Sequence, residues 1–482
     1  MSLTKSSFIT GLQCHKLLWY SKNKREVFPK RSKIDELKFN QGSEIGQLAK
    51  KVFSDGIDIT ELNHDIALQK TSDNINLKKP IFEAAFNFED YFIRIDILEP
   101  NDDSWDIIEV KSSTSVKEQH IDDVAFQKYV AINAGIKIKK CYVMHINNQY
   151  IKTGEIEPIK LFSKTDVTDK VNERIIEIKN EISIMQTAIS NDCPDIKIGP
   201  HCNKPYSCSL KKDICWKFLP KNNVMTLTRV GKKGFEMIDS NILDIKDITG
   251  IKLSEKQRIQ QETIINDKPH INYEKLKEFI DDIKYPIYFL DFEAMNPAVP
   301  LYDGTKPYQH IPFQYSLHIQ ENENSKLTHH SLVALDDPRE NIILGLKKLL
   351  GETGTILAYN KSFEIGRLND LAGWYPKYKE WVDEINKRFI DLIVPFRKFY
   401  FYDSKQMGSS SIKYVLPALV DLNYSELEIG DGFTAIAEYV KLIDDNTNDL
   451  EKEKIINNLE EYCKLDTFAM VKIYEKLKNI IS

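Results

Sequence analysis

Apolar and polar positions alternate along IFEAAFNFEDYFIRIDILE, residues 81–99, and again in SWDIIEVKSS, residues 104–113. A period of two predicts half-buried strands, with the polar EPNDDS between them as a turn. The period then changes. HIDDVAFQKYVAINAG reads as an amphipathic helix ending at Gly135, and DVTDKVNERIIEIKNEISIMQTAI as a longer one capped by Asp166 or Thr168. Residues 219–284 are polar and rich in Lys, Asp and Ile, with helical periodicity. From Tyr285 the apolar strand YPIYFLDFEAM opens a unit that runs to residue 482. Strands alternating with helices predict an α/β fold, divided as 1–218, a helical linker 219–284, and 285–482. No internal repeat or low-complexity tract interrupts this division.

At 482 residues the chain is too long for one core. No apolar run approaches the ~20 residues that span a bilayer, so no membrane partner is expected. The opening MSLTKSSFITGLQC lacks the features of a signal peptide. The expected address is cytoplasmic and reducing, which argues against disulfides for the seven cysteines. The net charge of −6 gives no global attraction to nucleic acid. Lys16–Lys33 is locally basic and carries Trp19, Tyr20 and Phe28, either as a binding stretch or as solvated surface.

In DIIEVKSS, Glu109 and Lys111 share one face of the predicted strand, and the preceding strand brings Asp96 alongside. Converging carboxylates repel unless a cation neutralises them, and hard divalent ions take such oxygen ligands. With a lysine beside them they suit metal-assisted phosphodiester hydrolysis. An E-x-K on an amphipathic strand also occurs as a plain surface pair, but Asp96 within RIDIL is harder to dismiss, because an unpaired buried acid is costly. Gln127 and Tyr129 in FQKY follow on the helix. RIDIL, IIEVKSS and FQKY together resemble the RecB-like branch of the PD-(D/E)XK nucleases. That resemblance implies Asp96 and Glu109 as metal ligands, Lys111 as catalytic lysine, Gln127 and Tyr129 as the downstream motif, and Glu83 as the upstream acid. The branch usually has a histidine on its first core helix; GSEIGQLAKKVF has none, and Glu44 is the substitute offered there.

Three cysteines, Cys202, Cys208 and Cys215, fall within HCNKPYSCSLKKDIC, while Cys14 lies far upstream. Some members of the RecB-like branch carry a [4Fe-4S] cluster on one cysteine before the core and three after it, and this chain resembles them in layout. The cluster would staple the ends of the domain together. Zinc on four cysteines, or on three with His201 or His15, is the rival, and simple buried thiols are the third reading. Cys141, Cys193 and Cys463 are expected to be core or surface residues.

In the last unit, YFLDFEAM puts Asp291 and Glu293 on one face of a strand. Glu364 follows in AYNKSFEIGRL, and Tyr462 and Asp466 stack one helical turn apart in EYCKLDTFAM. Acids from a strand and from later helices are what two adjacent metal ions require. These motifs resemble the DEDD 3′→5′ exonucleases of the DnaQ-like, RNase H-fold superfamily. The resemblance implies that Asp291, Glu293, Glu364 and Asp466 bind Mg²⁺ or Mn²⁺, with Tyr462 holding the attacking water. The second motif normally ends in aspartate, not Glu364; Asp391 is a reserve ligand. TLTRVGKKGFEMIDSNILDIKDI resembles a helix-hairpin-helix turning at Gly231, Lys232 and Lys233, or is a plain helical linker. GSSSIKYVLPAL, residues 408–419, offers hydroxyl and lysine contacts to phosphate, or is an ordinary helix cap.

Nearly the whole chain resembles a bacterial family that joins a cluster-bearing RecB-like nuclease to a DnaQ-like exonuclease domain. The expected activity is metal-dependent hydrolysis of DNA, on single-stranded or end-bearing substrates, in repair, recombination or defence. The alternatives are an RNA-processing exonuclease and a catalytically weak nucleic-acid-binding scaffold.

Overall fold

A computed structural model describes residues 3–424 and 427–482. The chain divides into two compact units: Met1–Phe218 with Pro297–Gln309, and Leu219–Asn296 with His310–Ser482. Both are mixed α/β.

The first unit begins with helix α1 (Lys5–Gln13) and, further on, α2 (Lys33–Lys50). Then come β1 (Ile81–Phe88), β2 (Tyr91–Asn101) and β3 (Ser104–Lys111), an antiparallel meander. The tight turn between β2 and β3 pairs Asn101 with Ser104, in the polar segment where the sequence predicted it. Helix α3 (Glu118–Asn133) crosses to β4 (Ile138–Ile146), which lies parallel to β3. Gly135 follows α3 at φ +91°, a conformation that stops the helix at little steric cost. Strand β5 (Phe162–Asp166) is antiparallel to β4 and leads into α4 (Thr168–Ser190). The N-cap position is Val167, between the two residues the sequence offered, and it makes no side-chain capping bond; Asp166 accepts from the Thr168 amide at 3.0 Å and from its hydroxyl at 2.6 Å. Two-residue strands Leu3–Thr4 and Ile57–Asp58 extend the sheet, each parallel to its neighbour, for seven strands in all.

One core of the unit includes Phe8, Ile95, Phe126, Val143 and Ile178, all buried. Phe8 stacks on Phe126 at 4.7 Å, which docks α1 on α3. The segment 297–309, expected in the C-terminal unit, belongs here instead. Its Ala298 and Val299 are buried beside Ile45, Phe82 and Tyr150, and Lys152 donates to the Thr305 carbonyl at 3.1 Å.

The second unit starts with α5 (Lys232–Asp239), α6 (Glu255–Asn266) and α7 (Tyr273–Asp281). These helices are not a free-standing linker. Val224, Leu227, Met237, Ile245 and Ile248 form a small core of their own. Gln260 reaches the Tyr402 hydroxyl at 3.2 Å and so ties α6 to the rest of the unit. The main sheet contains β6 (Ile287–Met295), β7 (Ile311–Gln320), β8 (Thr328–Val333), β9 (Thr355–Ala358) and β10 (Phe389–Asp391). Its order is β8-β7-β6-β9-β10, with β6 to β8 antiparallel and β9 and β10 parallel to β6. Helix α8 (Pro338–Leu349) precedes β9 and α9 (Ser362–Trp374) follows it. The 33-residue α10 (Asp449–Ile481) buries Ile455, Leu459, Tyr462, Cys463 and Asp466 along one stripe, at the three-to-four spacing of a helix face. That face packs on β6 and β7, where Gln314 donates to the Leu459 carbonyl at 2.8 Å.

Candidate functional site

Two acidic centres arise, one in each unit. In the first, the meander aligns its acids. Phe82 pairs with Ile97 and Ala84 with Ile95, so Glu83 stands opposite Asp96. Ile97 pairs with Ile108, which sets Asp96 beside Glu109 one position further on. Glu83 adopts φ +59°, an uncommon conformation for a side-chain-bearing residue, and one that clusters at functional sites. The Val110 amide donates to Asp96 Oδ2 at 2.8 Å. Glu83, Asp96, Glu109 and Lys111 all line one cleft of about 730 Å³.

Lys111 bridges Glu109 Oε1 at 2.5 Å and Asp123 Oδ2 at 2.6 Å. Gln127 donates to Glu109 Oε2 at 2.7 Å and to Asp123 Oδ1 at 3.2 Å, and its own Oε1 has no partner. Tyr129 is not brought here. Two residues along a helix is a rotation of about 200°, so its ring packs against Phe88 at 6.2 Å instead. Glu44 is exposed on α2, while Gly42, Ser43, Gly46 and Gln47 of the same helix line the cleft.

Sequence reasoning missed two members. Lys5 of α1 places Nζ 2.8 Å from Glu109 Oε1 and 3.7 Å from Asp123 Oδ1. Asp123 lies one helical turn before Gln127, a spacing that puts both on one face and was available as a signal. Lys5, 104 residues from Glu109, gave none.

The electrostatics are uneven. Burial pushes the Glu109 carboxyl up, but Lys111 and Lys5 outweigh it and hold the group well below its usual range. Asp96 is pushed up to about 7 by burial and then by the Glu109 charge, against the pull of Lys5 and Lys111. Lys111 stays charged: burial lowers its pKa, but Glu109 and Asp123 raise it further.

In the second unit, β6 presents Asp291 and Glu293, and α10 brings Asp466 to them. Carboxylate oxygens of the three lie within 4.8 Å of one another, the one such set of His, Cys, Asp or Glu among the described residues. Glu364 sits in the first turn of α9, 2% exposed, and its buried Oε2 has no partner. The turn before α9 is set by Asn360 at φ +77°, whose amide donates to Asp391 Oδ1 at 2.8 Å. Asp391 also accepts from the Ile393 amide at 3.2 Å, so the reserve ligand serves as the brace of this turn.

Burial and mutual repulsion raise the pKa values of this group. Asp291 is raised well above its usual range by burial and then by Asp466; Glu293 by burial, then Asp291 and Asp466; Glu364 by burial, then Asp291. Asp466 is pushed by burial to about 6, opposed by hydrogen bonds from Tyr424 and Tyr462 and by the Lys413 charge. Such crowding is unfavourable without a cation. The convergent oxygens of Asp291, Glu293 and Asp466 fit a divalent metal, with the orphaned Glu364 oxygen near Asp291.

Tyr424, absent from the sequence reading, donates to Asp466 Oδ1 at 2.7 Å. Cys463 was expected as a core or surface residue. It is buried, and its thiol also donates to Asp291 Oδ2 at 3.6 Å.

The four cysteines of the expected cluster are gathered at one end of the first unit. Gln13, next to Cys14, donates to the carbonyls of His201 at 3.0 Å and Tyr206 at 2.8 Å. The Cys208 amide donates to the Cys202 carbonyl at 2.9 Å. The Cys215 thiol is raised by burial and feels the charges of Cys208, Cys202 and Cys14, so the four are electrostatic neighbours. All are free thiols. No three of their sulfurs lie within 4.8 Å of one another, whereas zinc bonds of ~2.3 Å would hold them about 4 Å apart. Cys193 is near enough to Cys14 to feel its charge.

A family described as "Domain of unknown function (DUF2779)" matches residues 288–411, which include Asp291, Glu293 and Glu364. An uncharacterized protein of Ureaplasma parvum is 28% identical over 235 residues, covering 43% of this chain and 34% of that protein. An uncharacterized protein of Mycoplasma pneumoniae is 26% identical over 243 residues, covering 45% of this chain and 36% of that protein. The chain thus spans about a third of the length of the curated relatives it matches. Among the described residues no helix is long and apolar enough to cross a membrane.

Proposed function

We propose that the chain is a metal-dependent nuclease acting on DNA, with a 3′→5′ exonuclease site in the second unit and a RecB-like site in the first. The observation that carries this reading is the convergence of Asp291, Glu293 and Asp466 within 4.8 Å, with the unpartnered Glu364 oxygen beside them. The strand order β8-β7-β6-β9-β10, three antiparallel then two parallel, supports an RNase H-like fold. A meander followed by a helix and a parallel strand supports a PD-(D/E)XK core in the first unit.

Asp291, Glu293, Glu364 and Asp466 would hold Mg²⁺ or Mn²⁺, and when bound the ions supply an activated water and stabilise the leaving oxygen. Tyr424 and Tyr462 favour the ionised form of Asp466 through their hydroxyls. In the first unit Asp96 and Glu109, with Glu83 as the upstream acid, would offer oxygens to a metal from the cleft. Lys111, fixed between Glu109 and Asp123, keeps its positive charge for a developing phosphate charge. Cys14, Cys202, Cys208 and Cys215 would hold a [4Fe-4S] cluster that closes the domain, a reading supported by their being electrostatic neighbours.

The test is cleavage of end-labelled single- and double-stranded DNA and RNA with Mg²⁺ or Mn²⁺. Wild type is compared with Lys111→Ala, Asp291→Ala and the double variant. Shortening of the DNA that disappears fully only in the double variant is expected. Intact strands of both polymers with the wild type would leave the chain a nucleic-acid-binding scaffold, and cutting of RNA alone would make it an RNA exonuclease.

A further inference from the structure

The second unit holds a cavity of about 610 Å³ that none of the carboxylates described above lines. Its walls come from three stretches distant in sequence. Arg229 and Lys233 lie at the start of the unit, Lys256 in the first turn of α6, and Arg397 near Ser409 and Ser410. Four cationic side chains face one carboxylate, Glu255. The bonds that three of them make are to neutral acceptors. Lys233 donates to the Lys252 carbonyl, Lys256 to the Arg397 carbonyl at 2.6 Å, and Arg397 to the Asn360 side-chain oxygen at 3.4 Å. The positive charge is therefore concentrated, and Lys256 registers it: burial and then the charges of Lys398 and Arg229 lower its pKa. In a chain of net charge −6, a basic cavity points to an anionic ligand.

The rest of the lining suits phosphate. Ser409 and Ser410 add hydroxyls, and the first turn of α6 contributes the positive end of its dipole. Phe399 and Tyr402, stacked at 4.7 Å and buried, form an apolar floor that strengthens the field above it. Gly408 lets the serine turn lie against the opposite wall. It adopts φ +75°, and a Cβ there would come within 1.9 Å of the Thr226 carbonyl oxygen.

The cavity is also wired to the acidic centre. Tyr359 donates to the Ser410 carbonyl at 2.7 Å. Arg397 on the cavity wall donates to the Asn360 side chain at 3.4 Å, in the turn that leads into α9 and Glu364. Tyr359 directly follows β9, the strand paired with β6, which carries Asp291 and Glu293.

We propose that this cavity seats the phosphate backbone of a single nucleic-acid strand whose 3′ end lies among the carboxylates, an inference that rests on the exonuclease reading above. Of the two sequence stretches first read as phosphate contacts, Lys233 of one and Gly408, Ser409 and Ser410 of the other line this cavity, while Lys413 donates to the Gly430 carbonyl at 2.6 Å.

The test is fluorescence anisotropy of a labelled single-stranded DNA 20-mer over a range of salt, using the full chain with Lys111→Ala and Asp466→Asn together to prevent cutting by either site. Arg229→Gln and Arg397→Gln are added singly and together, with the exposed Lys326→Gln as a charge-matched control. The expected result is weaker binding in the cavity variants only, with the slope of log K against log salt falling by about 0.7 for each cation removed. Unchanged affinity and slope in both cavity variants would overturn the inference and leave the exonuclease reading standing. Displacement of the strand by a nucleoside monophosphate at equal concentration would make the cavity a nucleotide site and overturn the strand assignment. No binding of single-stranded DNA or RNA by the unsubstituted chain would overturn both readings together.

Discussion

The Tyr424 hydroxyl donates a buried 2.7 Å hydrogen bond to Oδ1 of Asp466, across 42 residues of sequence. The bond favours the charged carboxylate in a pocket where burial opposes it. Tyr424→Phe removes it. A hydrogen bond to a charged group contributes about 1.5–3 kcal/mol, so Mn²⁺ affinity and exonuclease rate are expected to fall roughly 10- to 100-fold. Calorimetric titration with Mn²⁺ reads the first and release of a 3′ label the second. Unaltered values for both would show that Tyr424 does not act on Asp466.

The same carboxylates make stability depend on pH and metal. Asp466 titrates at about 6 in the fold against 3.8 ordinarily, so the folded state binds the extra proton between those values. Stability is full below pH 3.8 and falls as pH rises through about 6, by roughly 3 kcal/mol from this group alone. Asp291, Glu293 and Glu364 are shifted upward too, and extend the loss to higher pH. Without metal, Asp291→Asn is expected to flatten the fall in melting temperature between pH 5 and 8. Mn²⁺ is expected to stabilise the wild type more at pH 8 than at pH 5. Equal metal stabilisation at both values would contradict the assignment of these acids as ligands.

These two effects show what the sequence disclosed. Asp291 and Glu293 were legible because a strand returns every second residue to one face, and Tyr462 with Asp466 because a helix does so every fourth. Asp96, Glu109 and Lys111 were legible for the same reason. Lys5, Tyr424 and the Cys463 thiol were not: each reaches its partner through tertiary packing, and a lone lysine, tyrosine or cysteine carries no periodic signal. The segment 297–309 was misplaced because chain continuity with β6 says nothing about which core Ala298 and Val299 enter. Tyr129 was a motif reading that the helical rotation overrode.

Lys5 holds Glu109 at 2.8 Å, where its ammonium competes with any cation entering the first cleft. Lys5→Ala is expected to tighten Mn²⁺ binding by the first unit about tenfold, or 1.4 kcal/mol, measured with Asp291→Asn in the background to silence the second site. Weaker binding in that variant would show Lys5 to be a necessary support of the site.

Gln13 binds the carbonyls of His201 and Tyr206 and so fixes Cys14 beside the other three cysteines. Anaerobically purified protein is expected to be brown, with four irons per chain for a [4Fe-4S] cluster. Cys208→Ser is expected to lose the colour and lower the melting temperature. Colourless protein with one zinc per chain would replace the cluster by a zinc site.

The most direct measurement is calorimetric titration of Mn²⁺ into the chain carrying Asp96→Asn, which removes a first-unit ligand, with and without Asp466→Asn. Binding to the first protein and its loss, by two orders of magnitude or more, in the second is expected if Asp291, Glu293, Glu364 and Asp466 hold metal together. Identical isotherms, with or without heat, would contradict it.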